Sequence, residues 1–323
     1  MNYREIPLLI PCQGDRMLGI LSRPDGEQKG DGRIGVLIIV GGPQYRAGSH
    51  RQFTLLARHL AAHGIPAMRF DYRGMGDSEG EMRTFEEIDD DIRAALDAFF
   101  DSVPGMGHAV LWGLCDAATA ALFYAPTDRR VAGLILLNPW VHTESAAAKV
   151  LLRHYYLGRL SSRTFWQKVF QGRVNVLRSL RSLAGLMFRA AGKGDHYRRQ
   201  LPRLAPNSTS TLATACGYTS NRGSPSSTQY KMASTNPDET QALPARLLTV
   251  FRSFRGQLLI VLSGRDYVAR EYRELVENDL AWKRALTDRR TPQVFLADAD
   301  HVFSRKEWRD RVAFEVENWV SKI

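Results

Sequence analysis

The sequence has few cysteines, and none are spaced for a metal or a disulfide framework. Its three cysteines, Cys12, Cys115 and Cys216, lie far apart and form no C-x-x-C pair. This spacing argues against a structural zinc site and against a small secreted fold held by disulfides. We therefore expect no metal and no organic cofactor, and we interpret Cys12 and Cys216 as incidental.

Long apolar runs and targeting signals are also missing. No run of about eighteen apolar residues occurs, which is roughly the length that a membrane-spanning helix needs. Residues 1–7 lack the charged-then-apolar pattern of a signal peptide. We therefore expect a cytoplasmic protein. With 323 residues and 44% hydrophobic content, the chain can form one large domain with an insertion.

Positive charge is concentrated in one segment. The whole chain has a net charge of +10, whereas residues 149–203 contain thirteen Lys and Arg against one acid, Asp195. Within this segment, residues 174–191 place apolar side chains three and four positions apart with arginines between them. Such a basic amphipathic helix can pack on a core, lie on an anionic membrane surface or guide an anionic substrate. We prefer core packing and keep peripheral membrane contact as an alternative. No binding motif accompanies the charge, so we expect no nucleic-acid partner.

Apolar runs alternate with helical patterns along much of the chain. Residues 6–11 and 17–23 predict an antiparallel hairpin. Buried strands are predicted at residues 33–40, 65–70, 109–112 and 131–138, and in the runs that begin at Gln257 and Gln293. Helices are predicted at residues 53–63, 86–100 and 305–320, and directly after a tight turn predicted at residues 113–116. This alternation is typical of a mostly parallel, doubly wound sheet.

Three predicted strands are followed by residues with catalytic chemistry. Cys115, Asp266 and His301 each come just past the end of an apolar run, and the carboxyl ends of parallel strands meet at one edge of a sheet. A thiol at a helix N-terminus has a lowered pKa, which favours Cys115 as a nucleophile. His301 would act as general base and then acid, and Asp266 would fix the imidazole tautomer. We expect Asp298 and Asp300 to be loop carboxylates.

These motifs resemble those of the α/β-hydrolases. Gly113-Leu-Cys-Asp-Ala117 is similar to the nucleophile elbow G-x-S-x-G, with cysteine in place of serine and alanine in place of the second glycine. Phe70-Asp-Tyr-Arg-Gly-Met-Gly-Asp-Ser-Glu-Gly80 is similar to a loop of relatives of serine aminopeptidases and acylglycerol lipases. The resemblance implies an α/β-hydrolase core at residues 1–140 and 246–323, with an inserted basic helical cap at residues 141–245.

One branch of these enzymes is especially similar. The elbow together with Gly41-Gly-Pro-Gln-Tyr-Arg46 and Asp298-Ala-Asp-His-Val-Phe-Ser304 resembles hydrolase 1 of the bacterial exosortase A system. This resemblance implies a hydrolase encoded beside machinery for surface-protein sorting and exopolysaccharide production.

The α/β-hydrolase resemblance also implies an oxyanion hole. In these enzymes the loop after the third strand supplies one backbone N–H, and the residue after the nucleophile supplies another. Pro43 has no N–H, so we predict Gln44 or Tyr45 as the loop donor and Asp116 as the second donor.

The far half of the predicted cap has a different composition. Sixteen of the twenty-two residues at positions 207–228 are Ser, Thr, Asn, Gly or Pro. Such a stretch buries too little apolar surface to offset its ordering entropy. We therefore predict a flexible loop near residues 207–236.

The sequence as a whole predicts covalent thiol catalysis on an ester, a thioester or a similar small acyl substrate. Water or an alcohol or amine acceptor could release the acyl group, so hydrolysis and acyl transfer in exopolysaccharide modification both remain open. A third hypothesis is a non-catalytic accessory protein that binds a lipid or glycan, in which the cysteine marks a decayed elbow.

Overall fold

A computed structural model of the chain describes residues 3–25, 33–42, 44–141 and 242–323. Most of the predicted cap, including the basic segment 174–191 and the segment 207–236, lies outside the described residues. Predictions on those segments therefore stay predictions.

One sheet of eight strands organises the described residues. The strands are β1 (Tyr3–Cys12), β2 (Asp15–Pro24), β3 (Arg33–Ile39), β4 (Ala67–Asp71), β5 (Met106–Leu114), β6 (Val131–Leu137), β7 (Gln257–Ser263) and β8 (Gln293–Leu296). Their order is β1-β2-β4-β3-β5-β6-β7-β8. β2 is antiparallel to both β1 and β4, and all other pairs are parallel. The carboxyl ends of the parallel strands therefore share one edge, with β5 near the centre.

Helices cover both faces of the sheet. They are α1 (Gln52–Ala62), α2 (Asp89–Ser102), α3 (Asp116–Tyr124), α4 (Leu243–Ser253), α5 (Tyr267–Asn278), α6 (Leu280–Asp288) and α7 (Lys306–Val320), with short 3-10 turns at Ser49–Arg51 and Ala125–Thr127. Buried residues of α1 and α7 pack on one face, and those of α2 to α6 pack on the other. Among the described helices, none has the length and apolarity that a membrane span requires.

The fold confirms the predicted doubly wound sheet, and the element bounds differ from the predicted ones by a few residues. The largest difference that matters for the site is at the elbow. We predicted a four-residue turn from Gly113 to Asp116, but β5 continues through Leu114 and α3 begins at Asp116. The extra strand residues form because Gly113 and Leu114 pair with β6, opposite Leu136 and Leu137. Cys115 alone makes the turn.

Charged residues brace the loop after β4. Asp71 is fully buried and accepts hydrogen bonds from the backbone N–H of Arg46, at 2.5 Å, and from its guanidinium. Arg73 donates two hydrogen bonds from its guanidinium to the buried Asp91 carboxylate on α2, at 2.8 and 3.0 Å. These pairs join the loop after β3, the loop after β4 and α2. These contacts give the region an architectural role at the carboxyl edge of the sheet.

Gly113 is a position at which the elbow tolerates no side chain. A Cβ added there would lie 2.5 Å from the carbonyl carbon and oxygen of Ala117 and 2.6 Å from the Ala118 nitrogen. These atoms belong to the backbone of α3 and cannot rotate away, so the helix must shift. We expect Gly113→Ala to lower the free energy of unfolding by about 3 kcal/mol, measured by urea unfolding.

Gly14→Ala is the control for this substitution. Gly14 lies in the β1–β2 turn at φ +91°, but a Cβ there would meet nothing within 4 Å. Only backbone strain then opposes the alanine, at a cost of about 1 kcal/mol. An equal loss of stability in the two variants would contradict the close packing of the elbow.

Candidate active site

Cys115 lies at a sharp turn between β5 and α3. Its φ is 63° and its ψ is −124°, a conformation that residues with a side chain rarely adopt. Two hydrogen bonds of its backbone hold the turn: Cys115 N donates to Leu137 O at 2.9 Å, and Trp140 N donates to Cys115 O at 3.2 Å. The side chain is partly buried. This geometry places the thiol at the N-terminus of α3, where free N–H groups favour negative charge.

Asp266 and His301 meet at the neighbouring strand ends. Asp266 follows β7 and His301 follows β8, and the distance from His301 Nδ1 to Asp266 Oδ2 is 3.0 Å. Both side chains are mostly buried, with exposed fractions of 7% for Asp266 and 19% for His301. Such a carboxylate stabilises an imidazolium and fixes which ring nitrogen carries the proton.

Backbone hydrogen bonds fix the position of Asp266. Its carboxylate caps α5 by accepting the N–H groups of Val268, at 3.3 Å, and Ala269, at 3.0 Å. The preceding residue Arg265 donates its N–H to Ala299 O at 2.9 Å, which ties this loop to the one that carries His301. The acid is therefore held in place before any substrate binds.

Asn138 is a positioning residue that the sequence reasoning missed. It lies at the end of β6, fully buried, with φ 43°. Its amide nitrogen donates to Ser263 Oγ at 2.8 Å and to His301 O at 3.1 Å, and its amide oxygen accepts the N–H of Ser263 at 2.9 Å. One side chain thus connects β6, β7 and the His301 loop. The only signal in the sequence was a polar residue directly after an apolar run.

The side chain of Asp116 is a second feature that the sequence reasoning missed. Its carboxylate accepts the N–H of Gly42, in the loop after β3, at 3.0 Å, and the N–H of Ala117 at 3.0 Å. Burial raises the pKa of this carboxyl, while those N–H groups and the nearby His301 oppose the rise. The loop after β3, the elbow and the His301 loop therefore come together around one carboxyl group.

The predicted oxyanion donors lie in the loop after β3 and at the start of α3. Asp116 is the first residue of α3. In the loop, Gln44 N donates to Gly42 O at 2.8 Å, so in this conformation its N–H already has a partner. Tyr45 follows it with a half-exposed side chain. The choice between Gln44 and Tyr45 as loop donor stays a prediction.

Two other carboxylates near His301 in sequence, those of Asp298 and Asp300, contact residues other than His301. Asp298 pairs with the exposed guanidinium of Arg265 at 2.7 Å. Asp300 accepts hydrogen bonds from the backbone N–H of Ser304, at 2.9 Å, and from its hydroxyl. Both contacts agree with their interpretation as loop carboxylates.

Comparison with known proteins gives one family and a consistent set of folds. Residues 36–315 match the model of the alpha/beta hydrolase family. The structure is similar to the esterase Pf2001 of Pyrococcus furiosus, with a TM-score of 0.55 and 14% identity over 98% of this chain and 94% of that one. It is also similar to Est1E of Butyrivibrio proteoclasticus with ferulic acid bound, with a TM-score of 0.55 and 14% identity over 98% of both chains. At these identities, the likeness shows a shared fold.

One sequence relative is named a transferase, whereas Pf2001 is named an esterase. The polyketide transferase claH of Penicillium crustosum is 29% identical over 144 residues, which are 43% of this chain. The chain spans only 45% of that relative's length.

Proposed function

This chain belongs to the alpha/beta hydrolase family, and we propose that it cleaves an ester, thioester or related acyl bond with Cys115 as nucleophile. The observation that carries this proposal is the positive-φ turn at Cys115, on the same sheet edge as the 3.0 Å contact between His301 and Asp266. Cys115 follows β5, Asp266 follows β7 and His301 follows β8. This chain order of nucleophile, acid and base is typical of the family.

The proposed reaction begins with attack of the Cys115 sulfur on the carbonyl carbon, which forms a C–S bond. His301 takes the thiol proton, and Asp266 stabilises the resulting imidazolium. The electron pair of the carbonyl bond moves to the oxygen. This oxygen then accepts hydrogen bonds from backbone N–H groups at Asp116 and in the loop after β3. Collapse breaks the bond to the leaving oxygen or sulfur, which takes the proton from His301. Water, deprotonated by His301, then attacks the carbonyl carbon of the thioester. Collapse of this second intermediate breaks the C–S bond, releases the carboxylic acid and returns the proton from His301 to the Cys115 sulfur.

Acyl transfer is a second candidate, and a specific observation favours keeping it. The relative from Penicillium crustosum is named a transferase, and a thioester can be intercepted by an alcohol or amine as well as by water. The resemblance to the exosortase A-associated hydrolases would place such an acceptor among exopolysaccharides. The acyl-enzyme is common to both reactions, so only the acceptor distinguishes them.

A binding protein without catalysis is the third hypothesis. A decayed elbow has no need to hold an aspartate against a histidine at the adjacent strand ends. The buried contact between Asp266 and His301, reinforced by Asn138, therefore supports catalysis over simple lipid or glycan binding.

The predicted partners and location extend this proposal. The basic residues between positions 149 and 203 favour an anionic acyl substrate, with contact to an anionic membrane as the alternative. We propose a cytoplasmic protein that needs no cofactor.

A substrate panel tests the proposed function and separates its two versions. We expect the purified full chain to turn over p-nitrophenyl esters or acyl thioesters of some chain length between two and sixteen carbons. Added alcohol or amine that changes the product from free acid to ester or amide would favour transfer, and free acid alone would favour hydrolysis. Stoichiometric binding of acyl compounds without turnover on any substrate would support the binding protein and contradict both enzymes.

A further inference from the structure

Two histidines and a glutamate form a cluster away from the candidate active site. His59 lies in the last turn of α1, His63 directly follows that helix, and Glu317 lies in the last turn of α7. His59 Nε2 lies 2.7 Å from Glu317 Oε2, and His63 Nδ1 lies 3.8 Å from the same oxygen. One nitrogen of each imidazole and one carboxylate oxygen all lie within 4.8 Å of one another. Three potential metal ligands thus converge from two helices.

The cluster lies at the opposite end of the fold from Cys115. α1 ends a few residues before β4 begins, so its C-terminus is at the amino end of that strand. α7 begins just after His301 and ends near the start of β6, where Trp319 lies against Gly133. The cluster therefore occupies the edge of the sheet opposite to the candidate active site.

The local field at the cluster favours a cation. Both helices end there, and the aligned peptide dipoles give a helix C-terminus partial negative charge. Glu317 adds a carboxylate. The three side chains are 25% to 49% exposed, so a small ion can reach them from solvent.

The ring nitrogens of the two histidines can reach one ion. His63 Nδ1 lies 2.8 Å from the carbonyl oxygen of His59 and 3.8 Å from Glu317 Oε2. A metal ion bound at Nδ1 would take the place of a proton shared with that carbonyl oxygen, and Nε2 would then carry the ring proton. The two imidazole rings are four residues apart in sequence, with centroids 4.4 Å apart, which puts them on one side of α1. Imidazole and carboxylate ligands suit Zn²⁺ and its neighbours, and three protein ligands leave a fourth position for water.

We propose that His59, His63 and Glu317 bind one divalent transition-metal ion, Zn²⁺ being the best fit, which links α1 to α7. Tetrahedral ligands at about 2.1 Å from zinc lie roughly 3.4 Å apart. Binding therefore requires Glu317 to move back from His59, which lies 2.7 Å away, and closer to His63, which lies 3.8 Å away. The expectation of no metal rested on the cysteines, whereas the signal for this site is the pair of histidines four residues apart. The role of the metal is to stabilise the fold, because the site is remote from the catalytic edge.

Zinc titration of the full chain tests this site. The chain is stripped with a chelator and studied in the Cys115→Ala background, because Cys115 and His301 are themselves potential zinc ligands. We expect calorimetry to give one Zn²⁺ per chain. We also expect the melting temperature to rise by about 5 °C when free zinc is about 100-fold above the dissociation constant. Full-chain controls without zinc report whether each variant still folds.

Substitutions locate the metal. His59→Ala, His63→Ala and Glu317→Gln should each weaken zinc binding by roughly 10- to 100-fold and remove most of the thermal shift. His108→Ala is the matched control, because His108 is an exposed histidine on β5, and it should bind zinc like the parent. Unchanged zinc affinity in the His59→Ala/His63→Ala double variant would overturn the proposal. Absence of any zinc-dependent thermal shift in the parent would also overturn it.

Discussion

Replacing Cys115 with alanine is expected to lower kcat/KM for acyl substrates by about 10⁴-fold or more. The reason is that no other group at the elbow can form the covalent intermediate. The fold should be retained, because the alanine keeps the Cβ and the backbone hydrogen bonds of Cys115 to Leu137 and Trp140. Initial rates with the best substrate of the panel measure the effect.

Cys12→Ala is the control for the loss of a thiol. Cys12 is buried on β1, and burial together with the nearby Asp91 raises the pKa of its thiol above the usual value. A protonated, buried thiol is a poor nucleophile, so this variant should keep its activity within about twofold of the parent. An active Cys115→Ala variant would exclude Cys115 as the nucleophile. An inactive but folded Cys12→Ala variant would show that the loss of activity is not specific to Cys115.

Replacing Asp266 with asparagine is expected to lower kcat/KM by about 10³- to 10⁴-fold. The substitution removes the negative charge 3.0 Å from His301 Nδ1, and an amide can hold the imidazole in the wrong tautomer. Asparagine also caps helices well: its amide oxygen can still accept the N–H of Val268, and only the hydrogen bond from Ala269 is lost. The melting temperature should therefore change little while activity falls.

Asp298→Asn distinguishes this role from a general effect of charge near His301. Asp298 is exposed and pairs with Arg265, and an exposed pair of this kind contributes little to stability. We expect activity within about twofold of the parent. A large loss in Asp298→Asn, with Asp266→Asn nearly as active as the parent, would move the acid of the triad to Asp298.

The strands were predictable from the sequence for a simple physical reason. A parallel sheet covered on both faces needs continuous apolar runs, and residues 33–40, 131–138 and the run from Gln257 have this pattern. The residues at the strand ends were predictable too, since parallel strands bring their carboxyl ends together. The contact between His301 and Asp266 follows from that topology, although the two residues are far apart in sequence.

Other features depend on contacts between residues that are far apart in sequence, and no local pattern predicts these. The length of β5 was underestimated because the pairing of Leu114 with Leu137 on β6 extends the strand. The role of Asn138 depends on three hydrogen bonds to residues more than 120 positions away. The cluster of His59, His63 and Glu317 likewise needs α1 and α7 to pack together. The helices α4 and α5 went unpredicted although both have start signals, Pro244 in the first turn of α4 and Asp266 at the N-cap of α5.

Mass spectrometry of the enzyme during turnover directly tests whether Cys115 forms an acyl-enzyme. The chain is mixed with an excess of a slowly hydrolysed p-nitrophenyl ester or acyl thioester, quenched in acid and digested at low pH, so that a thioester survives. We expect one acyl group per chain, carried on the peptide that contains Cys115 and absent from the Cys115→Ala variant. Turnover with the acyl group on another residue would contradict covalent catalysis by Cys115. Turnover of the slowly hydrolysed substrate with no acyl-enzyme at any time point would contradict it too.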